Sequence, residues 1–134
     1  MIKKFWYNRN EIFLYYYKSW LRGFIDNSLC DKIRNWYIPD LDGDSDSIEI
    51  FRERIVDYNI IGWIDELFVE VDKRNEGIGK ELVKSFIEIC RQEEVDLICC
   101  EPDIEKDLDY LINFYEKQGF EYDPLLILNY KYLK

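Results

Sequence analysis

The stretch "VDKRNEGIGKELVKSF", residues 71–86, decides how this chain is read, because it opens a helix with two glycines one residue apart, Gly77 and Gly79. Glycine costs roughly 1 kcal/mol against alanine inside a helix, so two in a first turn call for a physical reason. Downstream, Ile78, Leu82, Val83, Phe86, Ile87, Ile89 and Cys90 fall on one face, while Lys80, Glu81, Lys84, Glu88 and Arg91 fall on the other. That is the stripe of an amphipathic helix packed on a sheet. Upstream lies "IIGWIDELFVEV" (60–71), rich in branched and aromatic residues and predicted as a strand. A strand, a turn and a helix start stripped of side chains present unpaired amides and the positive end of the helix dipole, which suits an anion. A tight turn explains the glycines equally well. The pattern is neither a dinucleotide fingerprint nor a P-loop, since the third glycine and the G-K-[ST] ending are missing.

Composition narrows the rest. With 134 residues, 48% hydrophobic and 17% aromatic, the chain reads as one domain over 1–134 with one core. Its formal net charge of -10 argues against nucleic acid or an anionic membrane surface and favours a cationic substrate. Histidine is absent, which removes histidine triads and histidine-ligated zinc. The cysteines Cys30, Cys90, Cys99 and Cys100 lack metal-site or disulfide-framework spacing, and Cys99 and Cys100 sit in an apolar run, so a reducing, cytoplasmic compartment is expected. Asp40, Asp42 and Asp44 in "PDLDGDSDS" resemble the start of a calcium loop, but Ser45 and Phe51 stand where glycine and glutamate are required, so no metal is expected. The N-terminus is too broken by polar residues for a signal peptide or a membrane span.

Along the chain, residues 10 to 36 carry apolar and aromatic residues at helical spacing and predict two short helices, broken near Gly23 and Asn27. "SIEIFRERIV" (47–56) and the run from Ile60 predict neighbouring antiparallel strands. "VDLICC" (95–100) predicts a buried strand, and residues 104 to 118 a helix with Ile104, Leu108, Leu111, Ile112 and Tyr115 inward and Gly119 as its cap. "LLILNYKYL" (125–133) alternates as a final strand, whose edge is free to pair in a dimer. The fold class is α/β or α+β: a mixed, mostly antiparallel central sheet flanked by helices.

At this point the chain resembles the GNAT family of N-acetyltransferases. The family motif, a strand of the form L-x-V followed by [QR]-x-x-G-x-[GA] at a helix start, is matched by Leu67, Val69, Arg74, Gly77 and Gly79. A second family element, Y-E-K-x-G-F, is matched by "NFYEKQGF" with Tyr115, Gly119 and Phe120. The resemblance covers residues 47 to 132 and implies acetyl-CoA as co-substrate and an amine as acceptor. It implies that the pyrophosphate rests on the backbone from Arg74 through Asn75, Glu76, Gly77, Ile78 and Gly79 to Lys80. The pantetheine arm would lie along Leu67, Phe68 and Val69 like an added strand, with the thioester carbonyl near the Phe68 or Val69 amide. Tyr115 falls where the family places the general acid for the departing thiolate; a core tyrosine is the other reading. An asparagine that many relatives carry is replaced by Leu108.

The acceptor amine must lose a proton, and without histidine a carboxylate is the natural base. Asp65 and Glu66 precede Leu67, and strand alternation predicts that only one of them faces the cleft. Asp65 and Glu101 resemble acidic positions of aminoglycoside 6'-N-acetyltransferases and would hold a cationic amine; solvated strand ends are the alternative. Cys99 or Cys100 as an acyl carrier is disfavoured, since an apolar strand with no activating base raises a thiol's pKa. Two functions follow: acetyl transfer by direct attack on a primary amine of a small cationic molecule (aminoglycoside- or polyamine-like) or a peptide, or a non-catalytic acyl-CoA-binding sensor on the same scaffold.

Overall fold

The apolar stripe from Ile78 to Cys90 forms a helix as its spacing predicts: α1 spans Ile78–Gln92 and buries Leu82, Val83, Phe86, Ile89 and Cys90. The computed structural model describes residues 1–8, 11–26, 60–100, 108–123 and 128–133. Within these, β1 (Lys3–Asn8), β2 (Glu11–Tyr16), β3 (Ser19–Asp26) and β4 (Ile61–Phe68) precede α1. After it come β5 (Leu97–Cys100), α2 (Leu108–Glu116), β6 (Glu121–Asp123) and β7 (Leu128–Tyr132). The described strands form one seven-stranded sheet in the order β1-β2-β3-β4-β5-β7-β6. Only β4 and β5 pair in parallel among them, as the helical crossover between them requires.

Residues 11–26 correct the helical expectation. They form the β2–β3 hairpin, turning through Tyr17 (φ 49) and Lys18 (φ 58), both left-handed. The inward set is Ile12 and Leu14 on β2 with Leu21 and Ile25 on β3, all within 1% of full burial, and its period is two. Aromatic residues at nearly every other position satisfied both a helical and an alternating reading, and strand propensity together with the inward set favoured the sheet. The remainder of that expectation, 27–36, and "SIEIFRERIV" lie outside the described residues, as do residues 101–107, which include Ile104 and the start of the helix expected from 104.

The final strand corrects a second expectation. β7 lies between β5 and β6, with β6 paired along Leu128–Tyr130, so among the described residues the sheet ends on β6 and the final strand is an inner one. Two other readings stand: Leu97 to Cys100 are buried, and Gly119 follows α2 at φ +88, with the Phe120 amide donating to the Tyr115 carbonyl at 3.1 Å. Cys90 is buried as well, and desolvation, then the nearby Glu93 carboxylate, pushes its thiol up to about 12, so it is an inert core residue.

Packing between α1 and β3 is closest at Gly23. A β-carbon there would stand 2.6 Å from both the Phe86 ring and the Trp63 carbonyl oxygen. The ring edge can shift but the backbone oxygen cannot, so Gly23→Ala is expected to destabilise the fold by about 1–3 kcal/mol. Urea denaturation checks this, and a midpoint unchanged from the parent would contradict the packing described.

Candidate active site

The site is built where β4 outruns β5. Ile64 is the last β4 residue paired with β5, opposite Cys100, and Asp65 to Phe68 continue along β3 alone among the described residues. Strands that part leave backbone donors and acceptors on one flank of β4, which is where an extended ligand can add itself as a strand.

At that point β4 carries a bulge. Arg22 pairs with Glu66 and Gly23 with Ile64, so Asp65 is the extra residue. Two residues then oppose one, and the alternation expected of Asp65 and Glu66 is set aside. Both carboxylates reach the same guanidinium: Arg22 Nη2 is 3.1 Å from Asp65 Oδ2 and 3.1 Å from Glu66 Oε2. Arg22 Nε also donates to Asp65 Oδ2 at 3.1 Å, and Trp20 Nε1 donates to Glu66 Oε1 at 3.2 Å. Trp20 in turn stacks on Phe68, ring centroids 4.5 Å apart. The expectation that only one carboxylate faces this side is thereby corrected. Arg22 is absent from the sequence reading because it lies on a hairpin read there as helix, where Trp20 is one of several aromatic residues that suit a cleft or the core; as a strand, their spacing of two places both on one face.

Beyond β4 the chain turns through a short 3-10 helix, Val71–Lys73, and the Arg74 Nε–H donates back to the Val69 carbonyl at 3.3 Å. This clasp ties the strand end to the loop. Asn75 (φ 66) and Gly77 (φ +80) both take left-handed backbone, which asparagine and glycine tolerate best. The two glycines serve different ends. A β-carbon on Gly77 would meet nothing within 4 Å, so this position opens outward. One on Gly79 would stand 3.2 Å from the Phe114 ring and 3.2 Å from a Val69 methyl, so Gly79 lets α1 start in contact with α2 and the end of β4. The first amide bonded within α1 is Glu81, to the Gly77 carbonyl at 3.0 Å, leaving the Ile78, Gly79 and Lys80 amides without a helical partner.

The hairpin tip is fastened to this loop. Buried Ser19 donates to the Tyr17 carbonyl at 3.2 Å and accepts the Glu70 amide at 2.9 Å. Lys73 Nζ lies 5.6 Å from the centre of the Tyr17 ring. Together Tyr16, Tyr17, Lys73, Glu76 and the start of α1 wall a cavity of about 290 Å³.

Tyr115 comes from α2 to the end of β5. It is 3% exposed, packed edge-on against Phe114 and Phe120, and its hydroxyl oxygen accepts a hydrogen bond from the Cys100 thiol at 3.2 Å. Burial first, then the adjacent Cys100, raises its pKa well above the ordinary tyrosine value, so the phenol keeps its proton at neutral pH. Cys99 and Cys100 are buried in the sheet. Glu101 lies outside the described residues. Among the described residues no group of three or more metal-ligating side chains occurs, and no helix is long and apolar enough to cross a membrane.

The fold is shared with known proteins. A chain of the NatC complex, in a crystal structure with bound Gag peptide and CoA, superposes with a TM-score of 0.55 at 20% identity, over 87% of this chain and 61% of that one. The present chain therefore spans about three fifths of that neighbour's length. An agmatine N-acetyltransferase in its apo form superposes at 0.58 and 9% identity, over 92% and 74% of the two chains. The polyamine N-acetyltransferase of Drosophila melanogaster gives the same score and the same 9% identity. At such identities the likeness establishes the fold. No curated protein matches the chain in sequence. The profile of the Acetyltransferase (GNAT) family, however, matches residues 6–120, and the chain belongs to that family.

Proposed function

We propose that this protein transfers an acetyl group from acetyl-CoA to a primary amine by direct attack in a ternary complex, as a single domain working in the cytoplasm. The observation that carries the reading is the run of β4 past Ile64, its last residue paired with β5 among the described residues, into a helix start whose Ile78, Gly79 and Lys80 amides have no helical partner. These groups fit the cofactor: the open Gly77 flank admits a pyrophosphate, and the amides bind it with the helix dipole aligned. When bound, acetyl-CoA supplies an activated acetyl thioester.

The chain's own residues do the remainder. Arg74, Asn75, Glu76 and Gly77 shape the loop leading to those amides, and Leu67, Phe68 and Val69 offer backbone partners to the pantetheine arm. Tyr115 holds a proton on its hydroxyl for the departing sulfur. Asp65 or Glu66, directly or through water, takes the proton from the acceptor ammonium, and the acidic surface draws a cationic amine in. Glu101 is a further acceptor contact under this reading. The neighbours' substrates, a peptide in one case and agmatine or polyamines in the others, support an amine acceptor in general.

One observation favours the sensor reading: the Tyr115 side chain is 3% exposed, sealed beneath Phe114 and Phe120. A thiol-release assay with acetyl-CoA over a panel of primary amines decides between the two. Release dependent on the amine is the expected result; cofactor binding without release from any amine would replace transfer by sensing.

A further inference from the structure

The Asp65–Glu66 pair is not an empty acidic patch, because the protein has already supplied it with a cation. The bulge brings the two carboxylates to one guanidinium, 3.1 Å from each, and a second guanidinium nitrogen doubles the contact to Asp65. Without Arg22, two carboxylates at successive residues of a bulge would present two negative charges to the acceptor side. With it they present one.

The cluster remains open to a ligand. The Arg22 side chain is 53% exposed, and those of Asp65 and Glu66 are 47% and 42% exposed. On the same face, by register, stand Trp20 and Phe68, stacked on each other and partly exposed, with the Trp20 indole donating to Glu66. An acceptor lying here meets one residual negative charge beside an aromatic platform.

We infer that Arg22 is a specificity-determining residue, which sets the acceptor as a primary amine with a single positive charge and an apolar or aromatic body, and disfavours diamines and polyamines. The inference rests on the acetyl-transfer reading for its purpose, and on the Arg22–Asp65–Glu66 geometry for its content. The second ammonium of a diamine finds its carboxylate partner engaged by Arg22. Removing that guanidinium frees a half-exposed carboxylate, and a half-exposed ion pair is worth up to about 1 kcal/mol, or roughly fivefold in affinity.

Calorimetric titration of the full chain with phenethylamine and with putrescine tests this apart from turnover. The parent is expected to bind phenethylamine more tightly. Arg22→Gln is expected to strengthen putrescine binding about fivefold, with a smaller change for phenethylamine and a steeper dependence on salt, as exposed charges are screened. Arg22→Lys, which restores the charge, is expected to return the parent's order, and KM in steady-state assays should follow the binding constants.

An affinity ratio equal in parent and Arg22→Gln overturns the inference, as does a parent that prefers putrescine or binds neither amine. The two readings part cleanly. A shifted ratio without thiol release removes acetyl transfer and keeps Arg22 as the selector; thiol release with an unshifted ratio does the reverse.

Discussion

Gly77→Asp is expected to abolish the stabilisation of this protein by acetyl-CoA while leaving its fold in place. At about 100 times Kd, a ligand bound only to the folded state adds roughly 2.7 kcal/mol, which for a chain of this size is a rise of roughly 10 °C in Tm. Gly77 is the position to change because its φ is +80 and, among the described residues, no atom lies within 4 Å of where a β-carbon would go. An aspartate therefore enters without collision, at the modest backbone cost of about 1 kcal/mol for a short polar residue in left-handed geometry. Its carboxylate then stands beside the Ile78, Gly79 and Lys80 amides and competes with a pyrophosphate for them. Gly77→Asn separates charge from backbone strain, since asparagine tolerates the same φ and brings no charge; most of the thermal shift should survive in it. Should Gly77→Asp shift with acetyl-CoA as the parent does, the helix start is not the cofactor's cradle. Gly79 would be a poor substitute for this test, because its β-carbon would press on Phe114 and Val69 and confuse packing with binding.

Tyr115→Phe is expected to lower kcat by about 100-fold or more, the usual scale of general acid catalysis, with KM nearly unchanged. Stability changes less: the Cys100–Tyr115 hydrogen bond is lost, at roughly 1 kcal/mol. The direction of the Tyr115 pKa adds a second signature. Burial raises it well above the ordinary value, so the proton is retained and kcat should show no fall from this residue below pH 10. The linkage to stability has a definite sign. A folded-state pKa above the unfolded one means that the native protein binds the proton more tightly, so the contribution is complete below the unfolded value near 10 and is lost as pH rises through the folded value. Unfolding measured from pH 8 upward should therefore show a decline in the parent beginning near pH 10 that is smaller in Tyr115→Phe. An unchanged kcat in the variant would leave Tyr115 as a core residue alone.

How much of this was legible without a structure follows from the range of the forces involved. The helix over 78–92, the strand before it, the glycine opening between them and the Gly119 cap are set by contiguous residues, through periodicity, capping and positive φ, and each reads from its own segment, except that the strand stops at Phe68 and Val71, expected as its end, begins a 3-10 helix. The N-terminal hairpin did not, because its aromatic residues suit two periodicities and only burial of Ile12, Leu14, Leu21 and Ile25 beneath α1 selects one. The bulge at Asp65 is a relation between two strands, invisible in either alone, and it overrode the alternation that predicted opposite faces for Asp65 and Glu66. Gly79 was expected to make room for a ligand, and what it makes room for in the fold is Phe114, from a helix some thirty residues later. The amino-acid sequence by itself determined the local backbone of the loop between β4 and α1, since that depends on φ preferences and unpaired amides within one short stretch. Tertiary structure alone decided which charges meet at the β4 bulge, because Arg22 finds Asp65 and Glu66 only when distant strands pair in one register.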